Sequence, residues 1–259
     1  MASRRSSNIR FPKVFQNKLI PMDYSIAGDT NLWDEISDWW IKHIEDSDLA
    51  EYADIIFPVV RTFFADKQRI LDIGTGTGLV GQHIKKVTPG ATVIGSDISS
   101  KQLRHAKEIS TDLHFVQHNI EKVPFRNEVF DGVVCSMVLE HVQSLHAAVG
   151  EIARILQKNG FLLLVMNHPV FQSPGSGPIK ASPHEIQSHW GIADYLIESS
   201  QVEEVDTNIY IQYEHRTLAT YFNAISNQDL MIENVIEKPV GSKQSEIPSL
   251  LIVLCRKVQ

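Results

Sequence analysis

The sequence has few of the features that mark several large classes of protein. It contains two cysteines in 259 residues, so no disulfide framework is expected, and Cys135 and Cys255 are predicted to be small buried residues of a reducing compartment. No Cys and His residues have the spacing of a metal site. No apolar run reaches the roughly 20 residues that a membrane-spanning helix needs. These absences argue against secreted disulfide-rich, metal-binding and membrane-spanning proteins.

Positive charge is also scarce. The chain has 24 Lys and Arg residues against 31 Asp and Glu residues, a net charge of −7. A broad nucleic-acid groove needs clustered Lys and Arg, so no nucleic-acid partner is expected. Residues 1–22 differ, because their basic side chains are accompanied by no acidic one. We interpret them as a solvated basic tail of a cytoplasmic protein; the alternative is a signal for import into an organelle.

The most informative segment runs from Arg69 to Gly78. An apolar run around Asp72 predicts a buried strand, and Gly74, Gly76 and Gly78 then break it. A helical pattern resumes at Leu79. A strand, a glycine turn and a helix bring backbone N–H groups close to a bound ligand. Burial of the Asp72 carboxylate is costly unless donors surround it, so we expect the turn amides or a cationic ligand group to be its partners.

A second strand ends in an acid, Asp97, placed where the ribose of a nucleotide would be bound. Gly76, Gly78 and Gly81 also match the G-x-G-x-x-G dinucleotide pattern. In that register Gly74 and Thr75 would be extra residues between strand and turn. An NAD-dependent oxidoreductase therefore stays an alternative, although the sequence shows no evident hydride-transfer set.

An ordered series of segments covering residues 69–166 resembles the class I S-adenosylmethionine-dependent methyltransferases. The series consists of 71–78, Asp97, 116–125, 130–142 and 156–164. The type resembled is the ubiquinone-biosynthesis-like branch, methyltransferase type 11, which acts on small molecules. The resemblance implies S-adenosyl-L-methionine as cofactor and S-adenosyl-L-homocysteine as product. It assigns cofactor binding to Trp33, Asp72, Gly74, Gly76, Gly78, Asp97, Ile98, Asn119, Ile120 and Ser136. Many relatives have Asp at the Asn119 position, which is a mild departure.

Strands and helices alternate from residue 69 onward, which predicts an α/β fold. With the resemblance, the prediction is a Rossmann-like sheet of seven mostly parallel strands, helices on both faces and an antiparallel last strand. The expected organisation is a basic tail (1–22), an N-terminal helical cap (23–66) and a methyltransferase domain (67–259). Within that domain, residues 167–213 break the alternation and are predicted to be an inserted substrate lid, because their aromatic content argues against disorder.

The expected activity is methyl transfer to a small-molecule acceptor by in-line displacement, with an oxygen nucleophile such as a hydroxyl or carboxylate. A general base is provisionally assigned to His141, beyond the fourth strand, with His168 as the second candidate. The alternatives are a peptide, nitrogen or carbon acceptor, and a non-catalytic regulator that binds the cofactor. The sequence defines neither the acceptor nor the oligomeric state.

Overall fold

A computed structural model describes residues 32–46, 52–179, 189–239 and 247–258. The basic tail lies outside the described residues, as do parts of the predicted cap and lid. No helix in the described part of the chain is long and apolar enough to cross a membrane.

Seven strands form one sheet. They are β1 (Arg69–Ile73), β2 (Thr92–Asp97), β3 (His114–Gln117), β4 (Phe130–Ser136), β5 (Leu156–Asn167), β10 (Leu230–Lys238) and β11 (Leu250–Lys257). Their order in the sheet is β10-β11-β5-β4-β1-β2-β3. Strands β1 to β5 pair in parallel, and β11 runs antiparallel to both of its neighbours. This confirms the predicted fold class.

Helices surround the sheet and precede it. They are α1 (Leu32–Glu35), α2 (Ser37–Asp46), α3 (Phe57–Phe64), α4 (Leu79–Val87), α5 (Ser100–Ile109), α6 (Leu145–Ile155) and α7 (Leu218–Ser226). A π-helical turn (Tyr52–Ile56) leads into α3, and a 3₁₀ helix (Leu139–His141) follows β4. At the start of α5, the Ser99 hydroxyl accepts a hydrogen bond from the Gln102 amide and so caps the helix.

The two faces of the sheet are covered by different helices, because alternate side chains of each strand point to opposite sides. Leu71 and Ile73 pack with residues of α6 and α7, whereas Ile70 packs with α3 and α4. The apolar runs that predicted β1, β5 and β11 are therefore strands buried on both faces.

Two small antiparallel pairs occupy the region where the sequence breaks its alternation. One is β6 (Gly177–Ile179) with β7 (His189–Gly191), and the other is a hairpin of β8 (Ser199–Asp206) and β9 (Ile209–His215). The hairpin is attached to the body by two contacts distant in sequence. Trp39 Nε1 donates to Asp206 Oδ2 at 2.9 Å, and His141 Nδ1 lies 2.8 Å from the Gln212 carbonyl oxygen.

Helix α6 ends at Ile155, and Gly160 lies within β5. Packing favours glycine at this position. A Cβ at this position would lie 2.9 Å from the carbonyl oxygen of Gln157, closer than real side chains approach backbone. The predicted burial of both cysteines, unpaired, is confirmed.

Candidate functional site

The turn after β1 has the backbone conformation that glycine favours. Gly74, Gly76 and Gly78 have φ values of +69°, +54° and +84°. A Cβ at Gly74 would lie 2.1 Å from Val138 Cγ2, so no side chain fits there. The Thr75 amide donates to the Ser96 carbonyl at 2.9 Å, which fixes the turn against the end of β2. The turn is thus held open for a ligand at the carboxyl ends of β1 and β2.

Asp72 stabilises this turn from inside the protein. Its buried Oδ2 accepts hydrogen bonds from the Thr75 hydroxyl at 2.6 Å and from the Gly81 amide at 2.9 Å. Burial raises the pKa of Asp72 to about 7 despite these donors, and the nearby Asp97 charge adds to the effect. A Cβ at Gly81 would lie 3.1 Å from Asp72 Oδ2, so this glycine is explained by packing against the carboxylate rather than by a dinucleotide.

Asp97 ends β2 beside the glycine turn. Its Oδ2 accepts from the Gly76 amide at 2.9 Å, and its Oδ1 accepts from the Ser99 amide at 2.8 Å. Burial raises the pKa of Asp97, although the amide donors oppose this and keep the carboxylate oriented. The carboxylate is fixed at the edge of a cavity, where its remaining lone pairs can accept hydrogen bonds from a ligand.

A cavity lies over the turn and leaves about 480 Å³ free of protein atoms, part of it open to solvent. The glycine turn, the ends of β2 and β4, and the N-terminal helices all contribute to its wall. The lining residues are Trp33, Trp40, Ile44, Tyr52, Gly74, Gly76, Thr77, Leu79, Asp97, Gln102, Ser136 and Met137. One wall is therefore polar and close to backbone, and the other is aromatic.

Asp34 fixes the aromatic wall over the cavity. Its Oδ1 accepts from the Ser99 hydroxyl at 2.7 Å and the Lys101 amide at 3.1 Å, which ties α1 to the N-terminus of α5. Burial acts to raise the pKa of Asp34, but hydrogen bonds from Ser99, Lys101 and Ser100 hold it below its ordinary value. The neighbouring Trp33 ring meets Trp40 edge-to-face at 5.9 Å.

The end of β4 supplies a free hydrogen-bonding group. Ser136 Oγ is buried, lines the cavity and has no hydrogen-bond partner among the described residues. An unpaired buried hydroxyl is costly, so a ligand that bonds it would be stabilised. The next residue, Met137, has φ +56°, and its amide donates to the Val165 carbonyl at 2.7 Å. This bend turns the chain away from the sheet and leaves room for a ligand.

His141 lies next to the aromatic wall. Its ring contacts Trp33 edge-to-face at 5.0 Å. Its Nδ1 lies 2.8 Å from the Gln212 carbonyl oxygen, which can only accept a hydrogen bond. Nδ1 therefore carries a proton and donates it to this carbonyl oxygen. Arg216 holds the same loop in place by donating to the carbonyl oxygens of Leu139, Val142 and Gln143.

His168 does not reach the cavity, so the expectation that it could serve as a base needs correction. The ring is 2% exposed, and Nδ1 accepts from the Val170 amide at 3.2 Å. Nε2 lies 2.8 Å from Glu237 Oε1. Because both ring nitrogens are bonded within the protein, His168 is placed as a structural link between the end of β5 and β10.

Several residues expected to touch the cofactor are not part of the cavity lining. Ile98 is 39% exposed, and Ile120 belongs to the apolar core. Asn119 Oδ1 already accepts from the Glu121 amide at 2.8 Å, which shapes the turn after β3. Asp72 and Gly78 support the turn from behind. The residues that the structure does bring together at the cavity are Trp33, Gly74, Gly76, Asp97 and Ser136.

Some lining residues escaped the sequence analysis. Gln102 of α5 lies against the turn, because a Cβ at Gly76 would be 2.9 Å from its Oε1. Tyr52 and Ile44 reach the cavity from segments before β1. Trp40 and Ile44 recur at helical spacing on the apolar face of the N-terminal segment. This spacing was the only sequence feature that could have indicated their inward position. Gln102 carried no signal, since a polar residue in a surface helix is ordinary.

Comparisons with known proteins agree with the glycine turn and with the Asp97 carboxylate at the end of β2. A family model described as a methyltransferase domain matches residues 71–164. These residues form a class I S-adenosylmethionine-dependent methyltransferase domain. The chain is 27% identical over 161 residues to the ubiquinone/menaquinone biosynthesis C-methyltransferase UbiE of Coxiella burnetii, covering 54% of this chain. The match spans 63% of that relative's length.

Solved structures show the same fold. An S-adenosylmethionine-dependent methyltransferase from Listeria monocytogenes superposes with a TM-score of 0.69 at 22% identity, covering 82% of this chain and 100% of that one. One from Mesorhizobium loti has a TM-score of 0.66 at 22% identity, covering 82% and 99%.

The methyltransferase domain provides groups that suit its cofactor, S-adenosyl-L-methionine. Asp97 offers carboxylate oxygens for a diol, and Ser136 offers an unpaired hydroxyl. The turn at Gly74 and Gly76 allows close approach to the backbone.

Proposed function

We propose that this protein transfers a methyl group from S-adenosyl-L-methionine to a small-molecule acceptor that carries a hydroxyl group on a ring. The observation that carries this proposal is the cavity that joins the glycine turn and Asp97 to the aromatic wall of Trp33 and Trp40. The polar side suits the nucleoside and amino-acid parts of the cofactor. The aromatic side suits an apolar ring.

In the proposed complex, Asp97 accepts hydrogen bonds from the ribose hydroxyls, and the Gly74–Gly76 backbone lies along the methionyl part. Ser136 bonds the amino-acid end, and Trp33 covers the cofactor. Asp72 and Gly78 keep the turn in shape without touching the ligand. Contacts of Ile98, Asn119 and Ile120 with the adenine stay predictions.

We also propose roles for the flanking segments. Helices α1 and α2 act as a cap over the cofactor, since Trp33 and Trp40 line the cavity and Asp34 ties α1 to α5. The β8–β9 hairpin acts as part of a substrate lid, held to the cap by the Trp39–Asp206 hydrogen bond.

The choice of acceptor rests on one chemical argument. The relatives that match are named for C-methylation, whereas the sequence pattern favours an oxygen nucleophile. Removal of the proton from a hydroxyl on an aromatic ring makes both that oxygen and the conjugated ring carbons nucleophilic. A single base beside the methyl group therefore serves methylation at the oxygen or at a ring carbon. The pocket geometry selects which of these atoms receives the methyl group.

His141 is the proposed base. Because Nδ1–H donates to the Gln212 carbonyl, the neutral ring has its lone pair on Nε2, and the ring lies against Trp33 of the cavity wall. When bound, the cofactor supplies an electrophilic methyl group on a sulfonium sulfur. The protein holds the acceptor in line with that bond, excludes water with its aromatic wall, and accepts the hydroxyl proton on His141 Nε2.

The test combines methyl transfer with variants. Purified protein, methyl-labelled S-adenosyl-L-methionine and a panel of hydroxylated rings, analysed by mass spectrometry, should give a methylated product. We expect His141→Gln to lower kcat by about 100- to 10,000-fold with little change in cofactor affinity. His114→Gln, at an exposed position on β3, is the matched control. Normal turnover in the His141 variant would remove it as the base.

A further inference from the structure

Gln102 of α5 is a buried polar residue in the wall of the cavity. Its side chain is 2% exposed and belongs to the cavity lining. Its backbone amide donates to the Ser99 hydroxyl at 3.2 Å, but its side-chain amide makes no hydrogen bond within the described part of the chain. A buried amide without a partner costs free energy, so a ligand group that bonds it would be stabilised.

The Gln102 side chain lies against the glycine turn, at the corner of the cavity that holds Asp97. A Cβ built at Gly76 would lie 2.9 Å from Gln102 Oε1 and 3.9 Å from Trp40 Nε1. The amide of the same Gly76 donates to Asp97 Oδ2 at 2.9 Å. Gln102 and Asp97 therefore both border the cavity at Gly76.

The backbone and hydroxyl groups around Asp97 already bond within the protein. The Gly76 and Ser99 amides donate to the two oxygens of Asp97. The Ser99 hydroxyl donates to Asp34 Oδ1 at 2.7 Å. These donors are committed, whereas the Gln102 side-chain amide keeps its two N–H donors for a ligand.

A ribose diol needs both acceptors and donors where protein replaces water. Each hydroxyl donates one hydrogen bond and has lone pairs that accept others. When ionised, Asp97 only accepts, so it satisfies the O–H groups and leaves the hydroxyl oxygens without a donor. A side-chain amide can turn its nitrogen toward the ligand and supply that donor.

We propose that the Gln102 side-chain amide donates a hydrogen bond to one of the ribose hydroxyl oxygens of the cofactor, beside the Asp97 carboxylate that accepts from the diol. The proposal rests on the proposed function and adds a residue that determines its specificity for the nucleoside. A site with an acceptor and a donor for the diol rejects a deoxynucleoside, because removal of one hydroxyl leaves protein groups unpaired.

The test is calorimetric titration with S-adenosyl-L-homocysteine and with its 2′-deoxy and 3′-deoxy analogues at pH 8. Gln102→Met keeps the length of the side chain but has no donor. We expect it to bind S-adenosyl-L-homocysteine about tenfold more weakly than the wild type, the effect of one hydrogen bond. One analogue lacks the hydroxyl that Gln102 bonds, so with it the substitution should change the affinity by less than about twofold. With the other analogue, the loss of about tenfold should remain.

A second variant separates a donor from an acceptor. Gln102→Glu keeps the shape of the side chain, replaces its donors by a negative charge and places that charge near Asp97. It should weaken S-adenosyl-L-homocysteine more than Gln102→Met does. Gln68→Met, at an exposed position before β1, is the matched control and should bind all three ligands within about twofold of the wild type.

Three results would overturn the role of Gln102. The first is unchanged affinity for S-adenosyl-L-homocysteine in Gln102→Met. The second is equal weakening of all three ligands in that variant, which a merely structural residue would cause. The third is wild-type affinity in Gln102→Glu, since the residue would then act as an acceptor. Failure of the wild-type protein to bind S-adenosyl-L-homocysteine would instead overturn the proposed function, so the two failures are distinguishable.

Discussion

Two aspartates near the carboxyl ends of neighbouring strands have different roles in this site. Asp97 lies at the cavity, where backbone amides of Gly76 and Ser99 orient its carboxylate toward a ligand. Asp72 is turned inward, and its donors are the Thr75 hydroxyl and the Gly81 amide. The first is placed to bind a ligand, and the second shapes the turn that binds it.

Asp97→Asn tests the ligand-binding role. The amide keeps one acceptor oxygen but removes the charge, so we expect affinity for S-adenosyl-L-homocysteine to fall by about 10- to 100-fold. Calorimetric titration measures this. Asp112→Asn, at an exposed position, is the control and should bind normally. Unchanged affinity in the Asp97 variant would contradict the ribose assignment.

Asp72 predicts a particular pH dependence of stability. Its pKa is about 7 in the folded protein against an ordinary value of 3.8, so the folded state holds this proton more tightly than the unfolded chain does. The stabilisation is fully present below about pH 4 and is lost as the pH rises through about 7. Asn cannot titrate at this position. The free energy of unfolding of Asp72→Asn should therefore improve relative to that of the wild type as the pH rises from about 4 to about 7. Urea unfolding at several pH values checks this, and parallel curves for the two proteins would count against it.

At the scale of elements, the turn between β1 and α4 depends on the loop after β4, which packs closely against it. Val138, in the loop after β4, occupies the space that a side chain at Gly74 would need. The turn and the β4 loop are therefore packed as one unit, and both border the cavity.

Gly74→Ala should destabilise the protein by at least about 2 kcal/mol, because a positive φ and a 2.1 Å contact with Val138 are combined at this site. Gly90→Ala is the matched control. A Cβ at Gly90 meets no atom within 4 Å, so its effect should stay within about 0.5 kcal/mol. Chemical denaturation measures both, and equal effects would show that the turn tolerates a side chain.

The central elements could be predicted because their signals are local. Apolar runs mark β1, β5 and β11, and glycines mark the turn after β1. The sequence predicted a lid over residues 167–213, but neither the β8–β9 hairpin that lies largely within it nor the contacts of this hairpin could be predicted. Its contacts join residues far apart in sequence, such as Trp39 with Asp206 and His141 with Gln212. The second of these uses a backbone carbonyl, which leaves no trace in residue type.

At the scale of the whole molecule, the sheet order brings the ends of β1, β2 and β4 together, and the helical segments before the sheet line the cavity beside them. Resemblance predicted a sheet of seven mostly parallel strands and an antiparallel last strand, and the structure confirms both. Its assignments of individual residues to the cofactor and the acceptor stay predictions. The acceptor side depends on how the cap and the hairpin pack, which differs with each such addition to a common fold.

The most direct test of the central claim is calorimetric titration of the protein with S-adenosyl-L-methionine, S-adenosyl-L-homocysteine and NADH side by side. We predict micromolar binding of the first two ligands and no binding of NADH, because Asp97 and the Gly74–Gly76 turn border the cavity while Gly81 packs against Asp72. Binding of NADH alone would contradict this assignment and would place the glycines in the dinucleotide register.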